Sequence, residues 1–174
     1  VAGAEAVSRL WGEFGESTYL GILDGDAVLF LEHLDATGPV RIAGRVGGRY
    51  ALHCSAPGKV LFAHAGNSLF RKMAERGFER QTDRTITDPE KLRENLAKVR
   101  RQGYALDLEE YADGLMCFAA PIWNYADEVV GTVGVSVLKL YCSRKRMEKE
   151  IGPRVLATAE EISRAMGKVG GEED

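Results

Sequence analysis

The densest apolar pattern in the chain lies between Gly103 and Leu138, where two β-rich runs, Met116–Trp123 and Val129–Leu138, flank the polar segment Asn124–Asp127. Runs of this kind separated by turn residues predict a hairpin of neighbouring antiparallel strands. A four-residue turn pairs Trp123 with Glu128. Side-chain alternation then sets Ala119 opposite Thr132, Cys117 opposite Gly134 and Leu115 opposite Ser136 on one face. The other face carries Met116, Phe118, Ile122, Val129, Val133, Val135 and Val137, which is the composition of a packed core. Small side chains dominate the first face, and they predict a hollow that a covering helix, a loop or a ligand must fill.

Upstream, Val7, Leu10, Trp11 and Phe14 share one stripe of a helix. The chain begins inside that pattern without an initiator Met or a capping residue, so residues 1–14 read as the remnant of a linker helix leading out of an upstream domain; the alternative is a terminus packed on the sheet. Ser17–Leu23 and Ala27–Leu34 flank an Asp-Gly turn and open a meander. Val40–Ala43 and Arg49–His53 predict a further strand pair. Their Gly-rich connection, Gly44–Gly48, has the freedom to lie over the sheet as a lid, and Ile42 and Tyr50 have the bulk to wall a pocket.

Ser55 is placed to cap a helix with Pro57 in its first turn. Helix starts present free N–H groups and a positive dipole end, which makes Ser55–Gly58 a candidate anion cradle, although Pro57 removes one donor. A short helix over Ser68–Arg76 ends at Gly77. Another begins at Asp88-Pro89, or at a Thr87/Glu90 capping box, with Leu92, Leu96 and Val99 as its buried stripe and Gly103 as its stop. Asp107 interrupts the apolar run after it, with parity opposite to Tyr104, Leu106 and Leu108. It reads as a solvent-facing position on an edge strand or, functionally, as an acceptor for a ligand hydroxyl or a partner for Lys or Arg. Lys145–Met166 forms an amphipathic helix that Gly152-Pro153 kinks or breaks, and residues 168–174 form a disordered polar tail.

This order of elements gives an α+β domain over residues 15–167: an antiparallel sheet with flanking helices, compatible with a GAF- or PAS-like fold. A length of 174 residues, 45% of them hydrophobic, suits one such domain. The net charge of −3 argues against a nucleic-acid surface within the chain, since the basic cluster Arg144–Arg146 runs into Glu148 and Glu150 as a solvated helix. With no long apolar run and no cleavable signal pattern, the expectation is a cytoplasmic protein that does not enter the membrane. The three cysteines form no C-x-x-C pair and the three histidines have no ligand spacing, so reduced thiols and no metal or cofactor are expected.

Four blocks, HCSAPGKVLFA at His53–Ala63, TITDPEKLRENLAKVRRQGYALDLEE at Thr85–Glu110, GLMCFAAPIW at Gly114–Trp123 and VVGTVGVS at Val129–Ser136, closely resemble in order and spacing the effector-binding domain of the IclR family of bacterial transcriptional regulators. The likeness runs from about Ser8 to Gly167. It implies a GAF-like sensor of a small organic or aromatic acid, not an enzyme, acting as a homodimer or homotetramer. Operator DNA would be held, for repression or otherwise, by a winged helix-turn-helix upstream of this chain. The resemblance further implies ligand contacts from Ser55, Ala56, Pro57, Asp107, Cys117 and Ser136, with Ile42, Tyr50 and Leu115 as apolar lining. Gly134 stands where some relatives carry serine, which implies a roomier, less polar pocket. The combined expectation is a ligand carboxylate held by the N–H groups of Ser55–Gly58 and by Ser136, with Asp107 accepting from a ligand hydroxyl. Two alternatives stand beside it: a cysteine enzyme resembling free methionine sulfoxide reductase, using Cys117 and Cys54, and a domain for oligomerisation only, its pocket filled by Tyr50 or Trp123.

Overall fold

In the computed structural model, which describes residues 2–42 and 44–170, a six-stranded sheet runs in the order β3-β2-β1-β6-β5-β4. Its strands are β1 (Ser17–Asp24), β2 (Ala27–Leu34), β3 (Arg49–Ala51), β4 (Ala105–Leu108), β5 (Leu115–Trp123) and β6 (Val129–Leu138), and every neighbouring pair is antiparallel. The helices are α1 (Ala2–Phe14), α2 (Ala56–His64), α3 (Asn67–Arg76), α4 (Pro89–Gln102), α5 (Arg144–Arg146) and α6 (Gly152–Ala165).

Two hydrophobic clusters, one on each face of the sheet, make this a three-layer α+β domain. Helices α2, α3 and α4 pack with Val28, Phe30, Cys117 and Ala119. Helices α1 and α6 pack with Met116, Phe118, Ile122, Val133, Val135 and Val137. The caps follow the sequence: Ser55 Oγ accepts from Gly58 N–H, Asp88 Oδ1 accepts from Lys91 N–H, and Gly103 closes α4 at φ 81°.

The β5/β6 hairpin forms, but its register differs from the expected one by two residues: Ala119 faces Gly134, Cys117 faces Ser136 and Leu115 faces Leu138. One residue of the shift comes from the turn. Asn124 Oδ1 accepts from both Ala126 and Glu128 N–H, and Asn124 N–H donates to Glu128 O, so the loop closes one position later than Trp123. A bulge between Ile122 and Trp123 supplies the second. Because two residues restore parity, the small face and the core face keep their members. Val129, beyond the bulge, is the exception and packs with the small face.

The described residues of Val40–Ala43 form no strand, and Ala43 itself lies outside the described residues. β3 pairs with β2 instead, and stops at Ala51 rather than His53. Gly47 and Gly48 bond to Phe30 across the sheet edge, so this half of the connection extends the sheet and is not a free lid. The C-terminal helix accommodates Pro153 through a π-helical turn, Met147–Ile151, between α5 and α6, where Gly152 N–H reaches back to Met147 O. Widening the turn removes the clash that a proline ring has with the carbonyl four residues earlier. Part of the expected frayed tail is anchored: Gly167 takes φ 87°, Lys168 N–H donates to Ser163 O, and its ammonium lies 5.1 Å from the Trp123 ring. Residues 171–174 lie outside the described residues.

Helix α2 seats against the end of β3 only because residue 58 is glycine. A Cβ there would lie 2.6 Å from both Leu52 Cα and Ser55 Oγ. Gly58→Ala should therefore destabilise the domain by about 2 kcal/mol in urea unfolding. Gly12→Ala, where nothing lies within 4 Å, should instead stabilise α1 by about 0.5–1 kcal/mol. Equal stability of the two variants would contradict this seating.

Candidate functional site

The small-residue face presents two cross-strand rows. Asp107 on β4, Cys117 on β5, Ser136 on β6 and Ser17 on β1 form a polar row. Ala105, Ala119, Gly134 and Tyr19 form the next. Cys117 Sγ and Ser136 Oγ lie 2.9 Å apart and share a hydrogen bond, while Ser17 Oγ is occupied by the Ala36 N–H. In the second row three small side chains leave space that Tyr19 enters. A Cβ at Gly134 would stand 2.5 Å from the Tyr19 hydroxyl. The expectation of a roomier, less polar pocket is thereby corrected, since a phenol fills the space beside the glycine and brings its own hydroxyl.

Helix α2 covers part of this face, and what it leaves open is a small cavity. Ile42, Tyr50, Ser55, Pro57, Asp107, Leu115, Cys117 and Ser136, eight of the nine residues expected from the sequence, line it. The ninth, Ala56, does not, because its side chain is buried in the core among the α2–α4 cluster. The anion cradle is also narrower than expected. Ser55 Oγ donates to Ala51 O at 2.5 Å and accepts from Gly58 N–H, and Lys59 N–H is bonded to Ser55 O. Pro57 has no N–H to offer, so the first turn of α2 presents fewer donors than the cradle reading requires.

Asp107 is fully buried, not solvent-facing: β4 is an edge strand, but the loop after it folds over the carboxyl. Its Oδ1 accepts from the Glu110 and Tyr111 N–H groups at 2.8 and 3.3 Å, and Oδ2 has no partner. Burial, reinforced by the neighbouring Glu110 carboxylate, pushes the Asp107 carboxyl up to about 7 against the pull of its backbone donors and Lys59. Behind it, Lys59 on α2, only 2% exposed, pairs with both carboxylate oxygens of Glu110 at 2.8 and 3.0 Å.

Five lining residues were not anticipated: Tyr19, Phe30, His33, Gly44 and Tyr111. Tyr19 stacks on Phe30 at 4.7 Å, Phe30 tilts against Tyr50 at 4.3 Å and stacks on His33 at 5.8 Å, so an aromatic wall crosses from β1 to β3. Burial lowers the pKa of His33 despite Asp35 beside it. The cavity lining contains no Lys or Arg. Trp123 packs edge-on against His64 and does not line the cavity, and Tyr50 forms its wall without closing it. Burial raises the Cys117 thiol well above its ordinary range and pushes Cys54 up to about 12, outweighing the Ser136 hydrogen bond to the first and the Lys59 charge near the second. Among the described residues, no group of three His, Cys, Asp or Glu side chains could hold a metal, and no helix is long and apolar enough to cross a membrane.

Residues 3–164 match a family model described as bacterial transcriptional regulator IclR, C-terminal. The chain is 43% identical to the HTH-type transcriptional regulator BhcR of Paracoccus denitrificans over 91% of its own length and 57% of that protein's, so it spans little more than half of this relative. It superimposes on the crystal structure of the C-terminal domain of the Escherichia coli transcriptional regulator KdgR with a TM-score of 0.82, 30% identity and coverage of 95% and 96% of the two chains. A double mutant of the PobR inducer-binding domain from Acinetobacter, solved with 3-hydroxybenzoic acid, shares the fold at a TM-score of 0.83 and 21% identity, over 92% of this chain and 95% of that one.

A carboxyl whose folded pKa of about 7 exceeds its ordinary value of 3.8 binds more protons in the native than in the unfolded state between those values. Its contribution therefore makes stability fall as pH rises from about 4 to 7 and level off above. Asp107→Asn should remove this contribution, so the difference between parent and variant in urea unfolding free energy should shift in favour of the variant from pH 5 to pH 8. Glu16 and His33, also shifted by burial, titrate in both proteins and cancel in the difference. A pH-independent difference would refute the assignment.

Proposed function

The chain belongs to the IclR family of bacterial transcriptional regulators, as its C-terminal effector-binding domain, and on that premise we propose that the cavity binds a small hydroxylated organic acid. The observation that carries this reading is the unpartnered Asp107 Oδ2, fully buried at the end of a cavity walled by aromatic and apolar side chains. A buried acceptor without a partner costs roughly 1–3 kcal/mol, and a ligand hydroxyl that donates to it recovers that cost. The ligand carboxylate faces the start of α2 at Ser55, the positive end of that helix, and the Ser136 hydroxyl. Its apolar part lies against Ile42, Tyr50 and Leu115. Micromolar affinity corresponds to about 8 kcal/mol, more than a few hydrogen bonds of about 1 kcal/mol each provide, so apolar burial supplies much of it.

In the full-length regulator, occupancy of this cavity alters how a homodimer or homotetramer holds operator DNA through an N-terminal winged helix-turn-helix, in the cytoplasm. A cysteine enzyme fits less well, because both nearby thiols are held protonated and the relatives that match are transcriptional regulators.

Calorimetric titration and thermal unfolding with 3-hydroxybenzoate, lactate and 3-hydroxybutyrate, each beside its primary amide, test the proposal. At least one acid should bind one-to-one and add about 2.7 kcal/mol of stability at a hundred times its Kd, with its amide much weaker. Asp107→Ala and Ser136→Ala should each weaken that binding at least about tenfold. Amides binding as tightly as the acids, or affinity untouched by both substitutions, would overturn it.

A further inference from the structure

Tyr19 is 1% exposed and lines the cavity, and its buried hydroxyl makes no hydrogen bond of normal geometry with the protein. Ser136, Cys117 and Asp107 are the polar side chains that act on it, none of them in hydrogen-bonding geometry. Ser136 and Cys117 are already bonded to each other, which leaves the phenol and Asp107 Oδ2 as the two unsatisfied polar atoms in this part of the site. The phenol is held there from three sides. Gly134, its cross-strand partner on β6, provides the space; Phe30 stacks on one side of the ring at an interplanar angle of 9°; and the β1–β6 ladder fixes its backbone. A buried tyrosine normally finds a partner for its O–H, so a rigidly held one without a partner, aimed into a cavity, points to a ligand atom.

We infer that the Tyr19 hydroxyl, positioned by Gly134, is a specificity-determining donor of the effector site and reads the same ligand hydroxyl that donates to Asp107. A hydroxyl carries one donor and two lone pairs. Asp107 Oδ2 takes its proton and Tyr19 Oη donates to a lone pair, so one ligand oxygen satisfies both orphaned atoms. A site built this way rejects the analogue that lacks the hydroxyl, because two buried polar groups are then left unpaired together. Gly134 is part of the device, since any side chain there collides with the phenol oxygen and with Phe118 O. The inference rests on the proposed binding of hydroxylated acids, and its test separates the two.

The test compares three matched pairs, lactate with propionate, 3-hydroxybutyrate with butyrate, and 3-hydroxybenzoate with benzoate, on the parent chain, Tyr19→Phe and Gly134→Ala, by calorimetric titration. The parent should prefer the hydroxylated member of at least one pair by tenfold or more. Tyr19→Phe should lose about ten- to a hundredfold in affinity for that member while its affinity for the deoxy partner stays within about threefold. Gly134→Ala, which removes no polar group, should reduce the same preference by moving the phenol. If the parent binds hydroxylated acids but Tyr19→Phe keeps the full preference, the role of Tyr19 is overturned and the acid reading survives. Equal losses for both members of the pair would show Tyr19 to be merely structural and also overturn it. A parent that binds none of the six acids would overturn both.

Discussion

The buried ion pair between Lys59 and Glu110 is the contact on which the geometry of the cavity depends. It ties α2, which covers the sheet, to the loop that follows β4, which closes over Asp107. Two charges removed from water are a costly joint unless both are well bonded, and here Glu110 also accepts from the Leu108 N–H while its carbonyl takes the Thr85 hydroxyl. Losing either partner would strand the other charge in the core. The pair therefore sets the distance between the start of α2 and the turn that donates to Asp107. The cavity is what remains between two walls clamped at their base.

That clamp explains why the small face of the sheet is not simply filled. Ala105 and Ala119 are covered by the α2–α4 layer, and Gly134 is covered by Tyr19. The polar row beside them, Asp107, Cys117 and Ser136, lines the cavity together with Tyr19 and Leu115. An interior that packs at the density of an organic crystal leaves such a gap only where side chains are prevented from collapsing into it. Here the stacked rings of Tyr19, Phe30 and Tyr50 are too rigid to do so.

Most of the architecture was legible in the chain because its signals are local. Ser55, Asp88 and Gly103 mark helix ends through cap chemistry that needs only neighbouring residues, and the apolar alternation of β5 and β6 assigns their faces whatever their register. The register itself was not legible. An Asx turn at Asn124 and a bulge at Ile122 each move it by one, and no propensity announces a bulge. Asp107 was readable both as a surface position and as a ligand acceptor, since parity shows which way a side chain points but not whether a distant loop folds over it. Tyr19, Phe30 and His33 were missed for a related reason: they enter the site only because β1 pairs with β6, a contact between segments more than a hundred residues apart. The candidate site was readable where one hairpin and one helix start built it, and unreadable where the long-range pairing did.

The two hydrophobic clusters lie on opposite faces of one sheet, so the cavity and the terminal helices belong to different halves of the core. What they have in common is the strands. On β1, Tyr19 faces the cavity and its immediate neighbour Leu20 faces the other way, packing with the cluster of α1 and α6 and lying against Gly3 of α1. Successive side chains of a strand point to opposite faces, so one short piece of β1 backbone carries a wall of the cavity and a contact of α1. The sheet thus divides the core into two compartments, and β1 is a seam that belongs to both.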